Sequence, residues 1–247
     1  MNLNKIYKEY DDNGFVIVKK LLKKNEISKI LKELEIIKIK AVKTGINQYY
    51  HKTNDGKINT LHNIQKYHKK GEVIKIANSS KITNILAHLI KDQVKIRNIE
   101  FFLKPKKTGM PSPFHQDNFY WNIRKASGAN VWIACSKSSK KNGGLCYLKK
   151  SQKLGTVNHT ISYMKGSSQK IPDDTMKALK FKRIFPKLLP GDCLIHHPEI
   201  IHGSYYNRSN YDRIGLVVSF SGVSSKLDKY KLFEYKRNLK KNLKNIY

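Results

Sequence analysis

The sequence predicts a mainly β fold with flanking helices, in the form of a helix-flanked double sheet or jelly roll. Apolar residues recur mostly at helical spacing over the first ninety positions, whereas from Val94 onward they fall in short runs separated by turn residues. Helices followed by strands in one chain indicate helices packed against two sheets. The 247 residues suit one core. We expect a single domain, with a mostly helical part (1–93), a jelly-roll core (94–222) and a basic C-terminal helix or tail (223–247).

The N-terminal part is predicted to be helical with one short extended piece. The apolar run Phe15–Val18 follows a turn and is short enough to be a strand. Asn25 is the predicted N-cap of a long helix that ends near Gly45. Its apolar residues follow helical spacing: Ile27, Ile30, Leu31, Leu34, Ile37 and Val42. Two further apolar groups, at 73–77 and 82–90, predict one or two more helices.

Short apolar runs after residue 93 predict the strands of the core. They lie at 94–103, 129–135, 145–148, 184–189, 193–196 and 214–220. Turn residues separate several of them, namely Asn142-Gly143-Gly144, Pro190-Gly191-Asp192 and 207–210. The stretch 155–182 has no clear period, and its length predicts a lid or substrate loop rather than a simple connection.

The chain is strongly basic, but its net charge alone does not indicate a nucleic-acid partner. The net charge is +31, from 43 lysines and only six arginines against 18 acidic residues. Proteins that read nucleic acid rely on arginine for bidentate contacts, and here the lysines are spread evenly with no recognition motif. We interpret this composition as codon bias in an AT-rich genome in preference to a dedicated nucleic-acid surface, and we expect no specific nucleic-acid partner. The lysines weakly favour an anionic small-molecule substrate.

Cysteine usage and hydropathy bear on the compartment. Cys135, Cys146 and Cys193 fall inside predicted strands without CxxC spacing, which indicates small buried core residues. No stretch approaches the ~18 consecutive apolar residues that a spanning helix needs. A cytoplasmic protein without a membrane span is therefore expected.

A candidate metal site begins with His115 and Asp117. The two residues are two positions apart, so on a strand their side chains leave the same face. His202 lies 85 residues after Asp117 and completes a set of two histidines and one carboxylate. This set, with positions left open on one side of the metal, is typical of non-haem Fe(II) oxygenases. His196 and His197 are rival ligands, but Pro198-Glu199 turns the chain before His202, so we expect that pair to be structural and satisfied by neighbouring backbone.

Motifs spread along most of the chain resemble the phytanoyl-CoA dioxygenase family of Fe(II)- and 2-oxoglutarate-dependent oxygenases. In order, these motifs are Tyr10-Asp11-Asp12-Asn13-Gly14-Phe15, Lys104-Pro105, His115-Gln116-Asp117 with Tyr120-Trp121, Val131-Trp132-Ile133-Ala134, Asn142-Gly143-Gly144, Pro190-Gly191-Asp192, and His202-Gly203-Ser204 with Asn207 and Arg213. The chain departs from the family at Lys149-Lys150-Ser151-Gln152, where Pro-Gly-Ser-His is usual.

The resemblance implies a double-stranded β-helix, a cupin-like form of the jelly roll, and an active site at these motifs. His115, Asp117 and His202 would occupy one face of an octahedral Fe(II), which leaves three positions for bidentate 2-oxoglutarate and O2. The implied reaction is hydroxylation of a small organic substrate, with oxidative decarboxylation of 2-oxoglutarate to succinate and CO2. Tyr120 and Trp121, just past the metal carboxylate, are candidate walls of the substrate pocket.

Arg213 is the expected partner of the far carboxylate of 2-oxoglutarate. It lies eleven residues after His202, and the turn at 207–210 predicts that the two residues occupy adjacent strands. The resemblance adds Trp132 and Ser204 as neighbours of the cosubstrate. Lys104 would join them from the strand ahead of the metal motif, on the inward face that Phe102 and Glu100 share.

Three other interpretations compete with this one. A DNA-repair dioxygenase of the AlkB type would share the ligand set, but its arginine pair is spaced differently from Arg208 and Arg213. A zinc-dependent hydrolase could use the same three ligands, but it would leave Arg213 without a role and would need a nearby general base. A catalytically silent jelly-roll protein that binds a metal or a ligand would keep the site without consuming 2-oxoglutarate.

Overall fold

The computed structural model describes residues 1–164 and 166–243. Their helices are α1 Leu3–Asn13, α2 Lys24–Lys43, α3 Ile64–Tyr67, α4 Glu72–Ala77, α5 Ser80–Ile90, α6 Asp117–Trp121, α7 Asp173–Ala178 and α8 Lys229–Leu243. Their strands are β1 Phe15–Val18, β2 Tyr50–Lys52, β3 Ile58–Leu61, β4 Val94–Phe102, β5 Ser112–His115, β6 Gly128–Ala134, β7 Leu145–Leu148, β8 Thr160–Met164, β9 Ser167–Lys170, β10 Arg183–Ile184, β11 Cys193–His196, β12 His202–Ser204 and β13 Gly215–Gly222.

Two antiparallel sheets face each other across the core. The larger sheet has seven strands in the order β1-β11-β6-β13-β4-β3-β2, and the smaller has four in the order β10-β7-β12-β5. Strands β8 and β9 form a separate hairpin. Strands that are distant in sequence lie side by side, as a jelly roll requires. The predicted fold class, a mainly β jelly roll of the cupin-like, double-stranded β-helix type with flanking helices, is confirmed.

The N-terminal helices cover the outer face of the larger sheet. Ile30 on α2 and Ile85 on α5 are fully buried and share one apolar cluster with Ile99 and Phe101 on β4. Because side chains alternate along a strand, Glu100 and Phe102 point the other way, between the two sheets. The helices therefore leave the inner face of β4 free to line a cavity.

Pairing register arranges the inner face of the larger sheet in rows. One row runs from Glu100 on β4 through Val217 on β13 to Trp132 on β6. The neighbouring row contains Ser219 on β13, followed by Asn130 on β6 and His196 on β11. Residues directly opposite each other have neighbouring side chains, so each row acts as a unit in building the cavity wall.

Several predicted elements match the structure closely, and others needed correction. Strands Phe15–Val18, Leu145–Leu148 and Cys193–His196 have their predicted bounds. The long helix begins at Lys24, with Lys23 as its N-cap, not at Asn25. The strand predicted at 184–189 covers only Arg183–Ile184, because Pro186 cannot donate a hydrogen bond to a ladder.

The prediction of one extended piece before residue 94 was wrong. Strands β2 and β3 form a hairpin that extends the larger sheet beyond β4. Both strands are short, and β2 is a Tyr-His-Lys segment with no apolar run for a periodicity argument to detect. Strand β5, which carries His115, was missed for a similar reason, since it is four residues long and contains Pro113.

The segment 155–182, predicted to be a lid or substrate loop, contains short regular elements. The β8–β9 hairpin and α7 lie in this segment, and the backbone N–H of Ile171 donates to the carbonyl of Phe114 on β5 at 2.8 Å. The hairpin is thereby fixed beside the metal motif.

The basic C-terminal segment includes α8, whose Tyr235 ring contacts the rings of Phe119 and Tyr120. Residues 244–247 lie outside the described part of the chain.

Two expectations about the rest of the chain can be compared with the structure. Cys135, Cys146 and Cys193 are all buried free thiols. Within residues 1–164 and 166–243, no helix combines the length and the apolar character needed to cross a bilayer.

The predicted turn Pro190-Gly191-Asp192 ties β1 to β11. Gly191 has φ +90, and a Cβ atom there would collide with the carbonyl oxygen of Leu22, so the position needs glycine. The Asp192 carboxylate accepts from the backbone N–H groups of Lys20 and Leu189 at 3.0 and 2.9 Å and from the Lys19 Nζ at 2.9 Å. Burial raises the pKa of Asp192, but these hydrogen bonds outweigh burial and lower it.

We expect Asp192→Asn to lower the free energy of unfolding by about 1–3 kcal/mol at pH 7, because buried donors lose a charged acceptor. A carboxyl whose pKa is lowered on folding stabilises the protein above its unfolded pKa, and this contribution is lost as the pH falls through the folded pKa. The difference between the variant and the wild type should therefore shrink at pH 3. Urea unfolding followed by circular dichroism at the two pH values measures it. Asp174→Asn, at an exposed carboxylate, is the control; an equal difference at both pH values would contradict this account.

Candidate active site

His115, Asp117 and His202 come together at one end of the smaller sheet. His115 is the last residue of β5, and it pairs directly with His202, the first residue of β12. Asp117 is not on a strand, since it begins α6. Gln116 between them is extended, with φ −125 and ψ 133, so the side chains of His115 and Asp117 still leave the same side of the chain.

The three side chains have the geometry of a metal-binding set. The Nε2 atom of His115 lies 3.7 Å from Asp117 Oδ1, and the Nε2 atom of His202 lies 3.9 Å from Asp117 Oδ2. One ligand atom from each residue fits within 4.8 Å of the others. The Nδ1 atoms of His115 and His202 donate to the carbonyls of Pro113 and Ile200, at 2.7 and 3.0 Å. Each imidazole therefore turns the lone pair of Nε2 toward the centre, as metal-binding histidines do.

The protonation states also suit a cation. Burial, followed by the nearby charge of His202, lowers the pKa of His115 to about 4, and burial lowers the pKa of His202 to about 4. Burial alone would raise the pKa of Asp117, but His202 and the hydrogen bond from His196 lower it below its usual range. At neutral pH the site thus offers two neutral imidazoles and one carboxylate.

His196 and Asn130 hold the carboxylate of Asp117. The amide of Asn130 donates to Asp117 Oδ2 at 2.6 Å, and His196 Nε2 lies 3.0 Å from the same oxygen. The Nδ1 atom of His196 is 2.9 Å from the hydroxyl of Tyr147, and the Asn130 amide oxygen accepts from Ser219. These contacts fix the carboxylate and leave Oδ1 directed toward His115.

The expectation that His196 is satisfied by backbone was therefore wrong, because its partners are two side chains of the site. His197 does behave as expected, with Nδ1 accepting from the backbone N–H of Glu199 at 3.1 Å. His196 is the last residue of β11 and His197 lies just beyond the strand, so the two histidines have different partners. The contact of His196 with Asp117 depends on the pairing of β11 with β6, which sets His196 opposite Asn130 and which the sequence does not reveal.

Arg213 is a buried cation just ahead of strand β13 of the larger sheet. It is 1 % exposed and lies two residues before β13, whereas His202 lies on β12 of the smaller sheet. The prediction that the two residues occupy adjacent strands was therefore wrong, and the chain crosses between the sheets from 205 to 212. The two residues nevertheless line the same cavity.

The guanidinium of Arg213 has room for a carboxylate. It donates to the carbonyls of Gly143 and Phe102 at 3.0 and 3.4 Å, and its Nε has no hydrogen-bond partner. None of the acidic side chains in the described residues forms an ion pair with it. Burial lowers the pKa of Arg213 to about 9. A buried cation without a counter-ion is costly, and a carboxylate ligand would remove that cost.

Lys104 and Ser204 are linked to each other next to this site. The Nζ atom of Lys104 donates to Ser204 Oγ at 2.7 Å and to the carbonyl of Tyr205 at 2.6 Å. Lys104 follows the end of β4 with φ +35, so it does not continue the inward face of Glu100 and Phe102 as predicted. Its backbone carbonyl accepts from the backbone N–H of Arg213 at 3.1 Å. Lys104 thus holds β12 and Arg213 in place, and Ser204 lines the cavity.

A cavity of about 480 Å³, counted out to its open mouth, connects the metal set to Arg213. Trp132 forms part of its wall, and the Arg213 guanidinium lies 5.4 Å from the centre of the Trp132 ring. The full lining consists of Glu100, Phe102, Ser112, His115, Asp117, Asn130, Trp132, Leu145, His196, His202, Gly203, Ser204, Arg213 and Val217.

Tyr120 and Trp121 occupy different surroundings. The Tyr120 ring stands edge-on to the ring of His115 at 5.9 Å, and its hydroxyl bonds to the backbone of Gln169 on β9. Trp121 packs against the guanidinium of Arg97, at 5.2 Å, and against Gly128. The structure does not bring Trp121 to the cavity, and Tyr120 connects the metal set to the hairpin.

The departure at Lys149-Lys150-Ser151-Gln152 leaves this turn intact. Lys150 has φ +72, the conformation that glycine adopts most easily. The hydroxyl of Ser151 accepts from the backbone N–H of Ile201 at 2.8 Å, next to the metal-site histidine His202. The turn therefore still supports β12.

Comparisons with known proteins agree with this fold and donor set. The family model of phytanoyl-CoA dioxygenase matches residues 10–215. A probable alpha-ketoglutarate-dependent hypophosphite dioxygenase of Stutzerimonas stutzeri is 22% identical over 88% of this chain and 78% of its own. The peroxisomal phytanoyl-CoA dioxygenase of Homo sapiens is 23% identical over 87% of this chain and 67% of its own.

Solved structures share the fold. EctD from S. alaskensis, solved with 2-oxoglutarate and 5-hydroxyectoine, superposes with a TM-score of 0.74 at 15% identity, covering 92% of this chain and 78% of its own. The epimerase SnoN, in complex with Fe3+, alpha ketoglutarate and nogalamycin RO, gives 0.71 at 16% identity, covering 91% and 85%.

Taken together, the jelly roll and its two-histidine, one-carboxylate set are those of an Fe(II)- and 2-oxoglutarate-dependent dioxygenase, with Fe(II) as cofactor and 2-oxoglutarate and O2 as cosubstrates. The chain belongs to the phytanoyl-CoA dioxygenase family.

We expect His196→Ala to weaken Fe(II) binding by about 10–100-fold, the usual effect of losing a group that positions a metal ligand. His196→Gln should recover part of this loss, because a side-chain amide can still donate to Asp117 Oδ2. Anaerobic competition with a chromogenic chelator measures the Fe(II) affinity. His197→Ala, at the neighbouring histidine that does not contact Asp117, is the matched control. Unchanged affinity in His196→Ala would remove His196 from the site.

Proposed function

We propose that His115, Asp117 and His202 hold the Fe(II), that Arg213 binds the far carboxylate of 2-oxoglutarate, and that the enzyme hydroxylates a small organic substrate. Succinate and CO2 are the coproducts. The observation that carries this assignment is the buried guanidinium of Arg213, which has no ionic partner in the described chain and lines the same cavity as the metal set.

Each part of the cavity has a role in this reaction. Bound Fe(II) supplies the oxidation chemistry, in which O2 is consumed as 2-oxoglutarate loses CO2. Arg213 orients the cosubstrate through a charge-assisted pair of hydrogen bonds. Trp132 forms one wall beside the guanidinium, and Ser204, held by Lys104, lies on the opposite sheet. His196 and Asn130 keep the Asp117 carboxylate fixed.

The β8–β9 hairpin is the proposed cover of the substrate side. Tyr120 bonds to its backbone at Gln169 in both directions, at 3.2 and 3.1 Å, and the Tyr120 ring contacts His115. A substrate above the metal would therefore lie beneath the hairpin. This placement supports the earlier expectation of a lid at 155–182, although the lid is built from regular elements.

Formation of succinate tests the proposal. Protein supplied with Fe(II), 2-oxoglutarate and O2 should form succinate slowly without a substrate, since 2-oxoglutarate can be consumed uncoupled from hydroxylation. We expect this activity to require Fe(II) and to be lost in His202→Ala, while His88→Ala on α5 should retain it. Mass spectrometry of succinate is the readout.

Two alternatives correspond to different outcomes of the same experiment. Fe(II) binding without any 2-oxoglutarate consumption would favour a silent metal- or ligand-binding jelly roll. Tight Zn(II) binding, with no effect of 2-oxoglutarate on the protein, would favour a hydrolase. The buried and unpaired Arg213 supports the oxygenase over both, because neither alternative needs a carboxylate-binding cation in the cavity.

A further inference from the structure

Glu100 is an ionisable group of the cavity that the proposed reaction does not use. The metal set accounts for His115, Asp117 and His202, His196 positions Asp117, and Arg213 faces the cosubstrate. Glu100 projects from the inner face of β4 into the same cavity. A carboxylate placed there needs a partner, since burying an ionised group is costly.

Within the described chain, one side chain hydrogen-bonds to Glu100. The Nδ1 atom of His62 contacts Glu100 Oε1, and the Nε2 atom of His62 lies 2.9 Å from the hydroxyl of Thr60. A carboxylate can only accept, so Nδ1 carries the proton, and Nε2 then accepts from Thr60 if the imidazole is neutral. This chain of contacts fixes one carboxylate oxygen and leaves Oε2 available to the cavity.

The position of Glu100 places it beside the expected cosubstrate. In the row Glu100–Val217–Trp132, Glu100 lies two strands from Trp132, which is roughly 10 Å at the usual strand spacing. Trp132 is the residue that contacts the guanidinium of Arg213. A 2-oxoglutarate molecule bound between Arg213 and the metal would therefore leave Glu100 beside it. Glu100 would face the part of the cavity that the cosubstrate does not fill.

The β8–β9 hairpin covers the part of the cavity that contains Glu100. A Cβ atom on Gly166, at the tip of the β8–β9 hairpin, would lie 3.3 Å from the Thr60 hydroxyl and 2.8 Å from the ring of His51. The His51 ring in turn contacts the His62 ring at 5.2 Å. The pair of Glu100 and His62 thus lies beneath the proposed lid, where a substrate would be enclosed.

The charge next to Glu100 is opposite in sign to the net charge of the whole chain. The protein has 43 lysines and a net charge of +31, yet none of the described lysines lines the cavity. With Arg213 committed to 2-oxoglutarate and Asp117 to the metal, Glu100 is the remaining acidic side chain of the cavity lining, and the neighbouring Lys104 ammonium is bonded to Ser204 and Tyr205. The local field therefore disfavours the anionic substrate that the composition suggests, and favours a cation.

We propose that Glu100, oriented by His62, binds a protonated amine or guanidinium group of the substrate. The inference rests on the proposed function, because it assumes that Arg213 is occupied by the cosubstrate. The substrate class is then a small cationic nitrogen compound, held with its nitrogen at Glu100 and the rest of its skeleton extending toward the metal.

Matched pairs of small probes test this assignment. The wild-type protein is loaded with Zn(II) and 2-oxoglutarate, which prevents turnover, and ligand-observed NMR measures binding of butylamine against butanol and of cyclohexylamine against cyclohexanol. We expect each amine to bind at least tenfold more tightly than its alcohol. Glu100→Gln should remove this preference and change the 2-oxoglutarate Kd less than twofold.

Control variants separate charge from structure. Glu35→Gln, on the surface of α2 where the carboxylate pairs with Lys38, should leave the amine preference unchanged. Glu100→Asp keeps the charge but shortens the side chain by one methylene, so it should retain part of the preference. It is the second test if Glu100→Gln fails to fold. Equal binding of amines and alcohols to the wild type, or an undiminished preference in Glu100→Gln, would overturn the inference. Failure of 2-oxoglutarate to bind the wild type would instead refute the proposed function on which it rests.

Discussion

His115→Ala is expected to abolish measurable Fe(II) binding and, with it, the consumption of 2-oxoglutarate. Removing one imidazole leaves two of the three proposed protein ligands, Asp117 and His202, and His196 is already engaged by Asp117 and Tyr147. The loss should exceed the 10–100-fold that follows from changing a residue behind a ligand. Anaerobic metal titration followed by chelator competition measures it directly.

The matched control for this variant is His88→Ala. His88 is a half-buried histidine on α5 whose ring contacts Tyr7, far along the chain from the site. We expect His88→Ala to bind Fe(II) as the wild type does. Tight Fe(II) binding by His115→Ala, with a native circular dichroism spectrum, would show that the metal lies elsewhere.

Arg213→Met is expected to raise the Kd for 2-oxoglutarate at least about thirtyfold. Truncating one partner of a buried charged pair typically costs about 2–5 kcal/mol of binding free energy. Fe(II) affinity should change little, because Arg213 lies just ahead of a strand of the other sheet from His115 and His202 and donates to backbone carbonyls. Calorimetric titration of 2-oxoglutarate into the Zn(II)-loaded protein measures the effect.

Without 2-oxoglutarate, the Arg213→Met variant should be at least as stable as the wild type. A buried guanidinium with no counter-ion destabilises the fold, so an apolar side chain of similar length should maintain or increase the free energy of unfolding. In the wild type, 2-oxoglutarate should raise the unfolding temperature, and Arg213→Met should lose most of that increase. Arg208→Met, at an exposed arginine of the preceding loop, is the control. An unchanged 2-oxoglutarate Kd in Arg213→Met would assign the carboxylate to another group.

The convergence of His115 and Asp117 was predictable because its signal is local and chemical. Two ligand residues at spacing two, joined by an extended Gln116, face the same way whether or not Asp117 belongs to the strand. Arg213 was predictable as a buried cation in an arginine-poor chain. Its strand neighbours were not, because spacing along the chain does not tell whether a loop stays within one sheet or crosses to the other.

The groups behind the metal set depend on strand register, which one sequence does not specify. His196 reaches Asp117 because β11 pairs with β6 and sets His196 beside Asn130. Glu100 meets His62 because the short strand β3 pairs with β4, and β3 has too few apolar residues to be detected. Polar residues that acquire a role only through pairing are therefore the ones that sequence reasoning missed.

The central claim is that one cavity holds Fe(II) at His115, Asp117 and His202 and chelated 2-oxoglutarate between this metal and Arg213. Anaerobic titration of the metal-free protein with Fe(II), and then with 2-oxoglutarate, tests it most directly through the weak visible charge-transfer band of the chelate. We predict a band that needs both additions, is absent in His115→Ala and requires much more 2-oxoglutarate in Arg213→Met. No band in the wild type at saturating Fe(II) and 2-oxoglutarate would contradict the claim.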